Sequence, residues 1–196
     1  MGTVDDGPAP TLSPPEKARP LWPGYTPPAS SSGTDRPVEQ HFQPVIGVRI
    51  SVPVSRAEAQ QLLVADPNVS SSFSAKVYGC TQQAHAGCPT LRPVAHRDLT
   101  GDGKAEAVVA VDDPSSDQTL LEVYRITGRS AVLPLLVIWE PLGATASTVG
   151  RELLVTSEDT STRTTSVSRY EWNGDTLTVS NAAGSDRVEQ PASEAP

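Results

Sequence analysis

The chain has no cluster of lysine or arginine, no apolar run long enough to span a membrane, and only two cysteines. Each shortage excludes something. Neutralising phosphate with basic side chains dominates nucleic-acid affinity. A chain of 15 basic and 23 acidic residues, net charge −8, is therefore not built to hold nucleic acid. The longest apolar run, 131–139 (AVLPLLVIW), falls short of the roughly 20 residues that cross a bilayer. It also contains Pro134 and reads as a buried strand. Met1-Gly2 leads straight into polar residues, without the charged and apolar regions of a secretory signal. The three histidines, His41, His85 and His96, stand without a G-x-S-x-G elbow, an H-E-x-x-H helix or a P-loop. His96-Arg97-Asp98-Leu99 matches the kinase HRDL. The asparagine that motif needs is Gly103 here, and no glycine-rich loop or D-F-G accompanies it. The expectation is a protein that is not an enzyme.

What the chain does have is punctuation. Ten of its nineteen prolines fall in residues 1–44, a stretch with no apolar periodicity. Such a segment buries too little surface to offset its ordering entropy, so it reads as a disordered Pro/Ser-rich tether. Leu21, Trp22 and Tyr25 are the exception there, able to dock as a short apolar clip. Residues 182–196 read as a disordered tail, leaving 45–181 as a single globular domain large enough for its own core. The cysteines, Cys80 and Cys88 in YGCTQQAHAGC, are either free thiols or a local disulfide. Their spacing and number do not suit a metal. The favoured disulfide contributes about 2–3 kcal/mol and implies an oxidising compartment.

Within the domain, 45–52 (VIGVRISV) reads as a strand ended by Pro53. Ser55-Arg56-Ala57-Glu58 is a capping box opening a helix, and Asp66-Pro67-Asn68 stops it. Residues 73–80 read as a second strand. Apolar segments at 105–111, 120–126, 132–139 and 151–157 follow as strands, and 163–172 with 175–181 form a hairpin over Asn173-Gly174. Tyr170 and Trp172 share one face there, either as core or as a sugar-stacking pair. The fold class expected is α+β, mostly β: an antiparallel meander in a single blade-like sheet, with one N-terminal helix packed on it.

One motif carries chemistry, HRDLTGDGKAE at 96–106. Asp98, Thr100, Asp102 and Glu106 alternate through a tight loop, with Lys104 placed to offer its backbone carbonyl. Oxygen ligands in that pattern suit a hard cation such as calcium. The alternative is a structural turn in which Asp98 caps backbone N–H groups. D-x-T-G-D-G-x-x-E before an apolar strand resembles the calcium loop of FG-GAP (integrin-α-like) repeats. That resemblance implies Asp98, Asp102 and Glu106 as side-chain ligands and Lys104 as a carbonyl ligand. Thr100 replaces the usual carboxylate, and the motif occurs once, too seldom for a propeller. The proline-rich leader, VRISVPVSRAEAQQLL, KVYGC…AGC and DLTGDGKAE together resemble the CseA-type cell-envelope stress lipoproteins of streptomycetes. That resemblance implies an actinobacterial, extracytoplasmic protein at the outer face of the cytoplasmic membrane, held by a lipid anchor that these residues do not include. It also implies a signalling regulator whose partner is a membrane sensor histidine kinase. A calcium-stabilised cell-wall or carbohydrate-binding module is the alternative function, and a hydrolase the next.

Overall fold

The computed structural model describes residues 16–29, 41–85, 87–128, 131–159, 162 and 164–180. Two helices stand among them, α1 (Arg56–Ala65) and α2 (Ser71–Gln82). In α1 the capping box forms as the sequence spells it: Ser55 accepts from the Glu58 N–H, and the Glu58 carboxylate reaches back to the Ser55 N–H. Ala59, Leu62 and Leu63 form its buried stripe. Helix α2 lies where a strand was expected over 73–80. Phe73 and Val77, four apart, are its buried apolar side chains, and Ser70 caps it by accepting from the Phe73 N–H. A short apolar run fits either period, and the serine cap decides. Nor is 45–52 a ladder strand. A single bridge, Val45↔Val132, forms before Gly47 turns the backbone to φ +82°.

The strands are β1 (Arg19–Pro20), β2 (Thr90–Leu91), β3 (Ala95–Arg97), β4 (Glu106–Asp113), β5 (Gln118–Ile126), β6 (Val132–Pro141), β7 (Thr145–Val149), β8 (Glu152–Asp159), β9 (Thr164–Trp172) and β10 (Leu177–Val179). All pairings are antiparallel, so the mostly-β α+β class holds. They make two sheets, however, where one was expected. A central sheet runs β2-β4-β5-β6, with β3 also along the β4 edge, and an outer sheet runs β1-β7-β8-β9-β10. The reason is visible in β4, where all eight residues are buried. A strand buried on both faces needs a layer on each side. Ala107, Val109 and Val111 pack toward α1 and α2 with Leu62, Phe73 and Tyr124. Val108 packs with Leu121 and Leu136 against Leu153, Val155 and Tyr170 of the outer sheet. The molecule is thus three layers: helix pair, central sheet, outer sheet. Pro134 is accommodated at a bulge between β5 and β6, where a missing N–H is tolerated.

Residues 16–29 belong to this body. Arg19 and Pro20 pair with Thr148 and Ser147 of β7, and Leu21 is buried in the cluster between the sheets. The tether expected over 1–44 therefore gives way here to the docked clip. Gln43 is also tied down, its N–H donating to Asn68 Oδ1. The rest of that tether, 1–15 and 30–40, and the tail 182–196 lie outside the described residues.

Candidate functional site

The acidic loop is positioned by its flanks. Strand β3 delivers the chain into Asp98, Leu99 inserts fully buried between the sheets, and Glu106 opens β4. The loop turns at Gly101 and Gly103, with φ of +79° and +81°. Asp98 accepts from both turns, from the Gly101 N–H at 2.6 Å and the Gly103 N–H at 3.1 Å. Asp102 accepts from the Lys104 N–H at 2.9 Å and from the Arg125 guanidinium at 2.5 Å, and that guanidinium holds its carboxyl below the ordinary range. Glu106, 1% exposed, accepts from the N–H groups of Leu99 (2.7 Å) and Thr100 (3.3 Å) and from the Thr100 hydroxyl (3.1 Å). A Cβ on Gly101 would strike the Arg151 guanidinium, so a second cation lies against the loop.

The five residues singled out for calcium, Asp98, Thr100, Asp102, Lys104 and Glu106, thus share one loop without converging on one point. Each carboxylate already serves N–H donors or a guanidinium. Among the described residues the clustered metal-ligand atoms are those of Cys80, His85 and Cys88. The donor set in this arrangement does not fit a calcium ion, and the loop instead ties β3 to β4. Glu106→Ala is expected to lower stability by about 2–3 kcal/mol, because it leaves buried N–H groups without their charged acceptor. Millimolar calcium is expected to leave the wild-type melting temperature unchanged. A calcium-dependent rise would restore the cation reading.

Cys80 and Cys88 form the expected disulfide, with Cα atoms 5.7 Å apart, linking the end of α2 to the loop before β2. Thiol alkylation without reductant is expected to leave both unmodified. Reduction is expected to lower the melting temperature by several degrees, given about 2–3 kcal/mol. The histidines have structural surroundings. His96 Nε2 accepts from the Val54 N–H at 3.0 Å, and burial first, then Arg97, lowers its pKa. His85 Nδ1 accepts from the Gly87 N–H. Tyr170 is buried between the sheets, and half-buried Trp172 carries the Arg125 guanidinium 5.5 Å from its ring, so the two do not make an open sugar platform.

Two polar constellations were not legible in the sequence. Arg92, 1% exposed, follows β2 and forks onto Asp112 of β4, Nε to Oδ2 at 2.9 Å and Nη2 to Oδ1 at 2.5 Å. Its Nη1 donates to the Ala144 carbonyl, and the Thr119 hydroxyl donates to Asp112. The clip closes over this pair. Tyr25 donates to Asp112 Oδ2 at 2.5 Å, and the rings of Trp22 and Tyr25 each lie 5.0 Å from the Arg92 guanidinium carbon. Burial pushes Asp112 up, but the Arg92 and Tyr25 hydrogen bonds outweigh it and hold the carboxyl below the ordinary range. The Tyr25 hydroxyl is pushed up to about 12 by burial and by Asp112.

The second constellation faces the helices. The Tyr124 hydroxyl lies 2.6 Å from Glu122 Oε2 and 2.8 Å from Asp66 Oδ2. One hydroxyl proton cannot serve both contacts, so one carboxyl is protonated. Asp66 also accepts two hydrogen bonds from Asn68, whereas Glu122 Oε1 has no partner. The proton therefore sits on Glu122, whose pKa is driven well above the ordinary 4.5 by burial and then by Asp66. A glutamate inside an apolar strand (LLEVYRI) is the signal that could have found it. Arg92 had none.

No protein-family model, curated protein or solved structure matches the chain.

Proposed function

We propose that the protein is an exported regulator, tethered at the outer face of the cytoplasmic membrane as lipoproteins are, which modulates a cell-envelope stress sensor by contact. The partner implied by its sequence resemblance is a membrane sensor histidine kinase. The observation that carries the reading is the Cys80–Cys88 disulfide, because stable disulfides belong to oxidising compartments. No helix among the described residues is long and apolar enough to cross a membrane. The proposed tether is a lipid anchor that the given residues do not include, as the sequence resemblance implies. Action by contact rather than turnover is supported by how the candidate groups are used. His96, Asp98 and Glu106 each hold backbone N–H groups of their own fold.

The test is double. Stress-reporter activity is measured in a deletion strain, and the purified chain is titrated calorimetrically against the extracellular part of the sensor. A raised reporter and a saturable heat are expected. Unchanged reporter activity together with no heat would remove the proposal. Hydrolysis of a cell-wall polymer, abolished by Asp98→Ala in a folded protein, would replace it with an enzyme.

A further inference from the structure

The segment that closes over Arg92 has the form of a bound peptide. It enters extended, with Arg19 and Pro20 antiparallel to Ser147 and Thr148, and the Leu21 N–H donates to the Ala146 carbonyl at 3.0 Å. Leu21 fills an apolar socket 5% exposed. The chain then reverses through Trp22-Pro23-Gly24-Tyr25, the Tyr25 N–H donating to the Trp22 carbonyl and Gly24 standing at φ +82°. Proline then glycine in the centre of a turn is the type II signature. The reversal sets two aromatic rings against one guanidinium. Trp22 donates to the Pro93 carbonyl at 2.6 Å, and Tyr25 to Asp112.

Every group that reads this segment belongs to the body: the β7 edge, the Leu21 socket, the Pro93 carbonyl and the Arg92–Asp112 pair. Edge pairing plus pockets for chosen side chains is how strand-adding domains take peptides. The ladder here covers only the two residues of β1, so little backbone holds the segment in place. Residues 30–40 connect it in sequence to residues 41–45, so its binding is intramolecular and is favoured over that of the same segment free in solution.

We propose that the groove between the β7 edge and the Arg92–Asp112 pair is a peptide-binding site. It takes an extended partner segment bearing an aliphatic residue and two aromatics across a Pro-Gly turn, and residues 19–25 occupy it in cis as an autoinhibitory ligand. The inference goes beyond the regulatory reading and does not depend on the compartment or the sensor. The partner competes with the cis segment for one surface, so docking and release of residues 19–25 gate access to the protein.

The probe is a labelled synthetic peptide of residues 16–29, followed by fluorescence anisotropy against two forms of the full chain. The first carries Trp22→Ala and Tyr25→Ala, with circular dichroism confirming its fold. It is expected to bind the peptide at least tenfold more tightly than the wild-type chain, whose groove is filled. A peptide with the same two substitutions is expected not to bind. The second form has all wild-type residues and an inserted protease site within 30–40. After cutting, its segment is expected to exchange with excess labelled peptide. This form decides the question if the double variant fails to fold. Equal binding of the peptide to variant and wild type, or a cut segment that hundredfold excess peptide cannot displace, would show a permanent strand of the fold and overturn the proposal.

Discussion

Asp112→Ala is expected to lower the unfolding free energy by about 3–5 kcal/mol, read as a shift of the urea midpoint at unchanged slope. Both partners of the Arg92–Asp112 pair are essentially excluded from water, with side chains 1% and 0% exposed. Removing the carboxylate leaves a buried guanidinium with the Ala144 carbonyl as its remaining acceptor. It also takes the acceptor from Tyr25 and Thr119. Replacing the pair together, Arg92→Met with Asp112→Leu, is expected to recover much of the loss, because the cost lies in the charge left behind. A loss below about 1 kcal/mol for Asp112→Ala would mean that water reaches the pair and surface rules apply. The sign with pH follows from the depressed Asp112 carboxyl. Its stabilisation is present above the ordinary 3.8 and is lost as pH falls through the folded value.

Glu122→Gln is expected to stabilise the protein at neutral pH and to remove a pH dependence that the wild type carries. The folded state holds a proton on Glu122 that the unfolded chain releases near 4.5. Stability from the protonated group is complete below that value and declines as pH rises toward the folded pKa, by about 1.4 kcal/mol per pH unit. With Asp112 and Asp113 depressed and acting in the opposite sense, the wild type is expected to be most stable at mildly acidic pH. Glutamine keeps a donor for the Tyr124 oxygen while Tyr124 donates to Asp66, and it cannot ionise. Denaturant midpoints from pH 4 to 8 decide the matter. A wild-type curve parallel to that of Glu122→Gln would show that Glu122 ionises in place without penalty. The two predictions are separable, since Glu122 and Tyr124 lie on the helix-facing side of β5 while Asp112 falls with Val108 on the opposite face of the central sheet, where it meets the clip.

Local signals carried as far as local interactions reach. Ser55 and Glu58 spell out a helix start, Asn173-Gly174 a hairpin, and Cys80 with Cys88 a disulfide, because each depends on residues within a few positions of one another. The β class and most of the central strands followed from apolar alternation. What alternation left open was the number of layers. A strand such as β4, apolar on both sides, demands two covers without saying which segments supply them. The acidic loop shows the same boundary. Its spacing announced a tight turn rich in carboxylates, and the turn is there. The partners of those carboxylates were set by Glu106 being drawn inward onto Leu99 and Thr100, by Arg125 arriving from β5, and by Arg151 arriving from the turn between β7 and β8.

The sequence by itself determined the elements: a capped helix, a meander of short strands, a stapled loop and a proline-rich N-terminal stretch with an apolar clip. Only the tertiary structure decided that the strands split into two sheets and that Trp22 and Tyr25 close on a buried ion pair. The physical reason is range. Caps, turns and periodicity are settled by energies between neighbours, whereas Arg92 meets Trp22, 70 positions away, only because burying both faces of one sheet brings distant parts of the chain together.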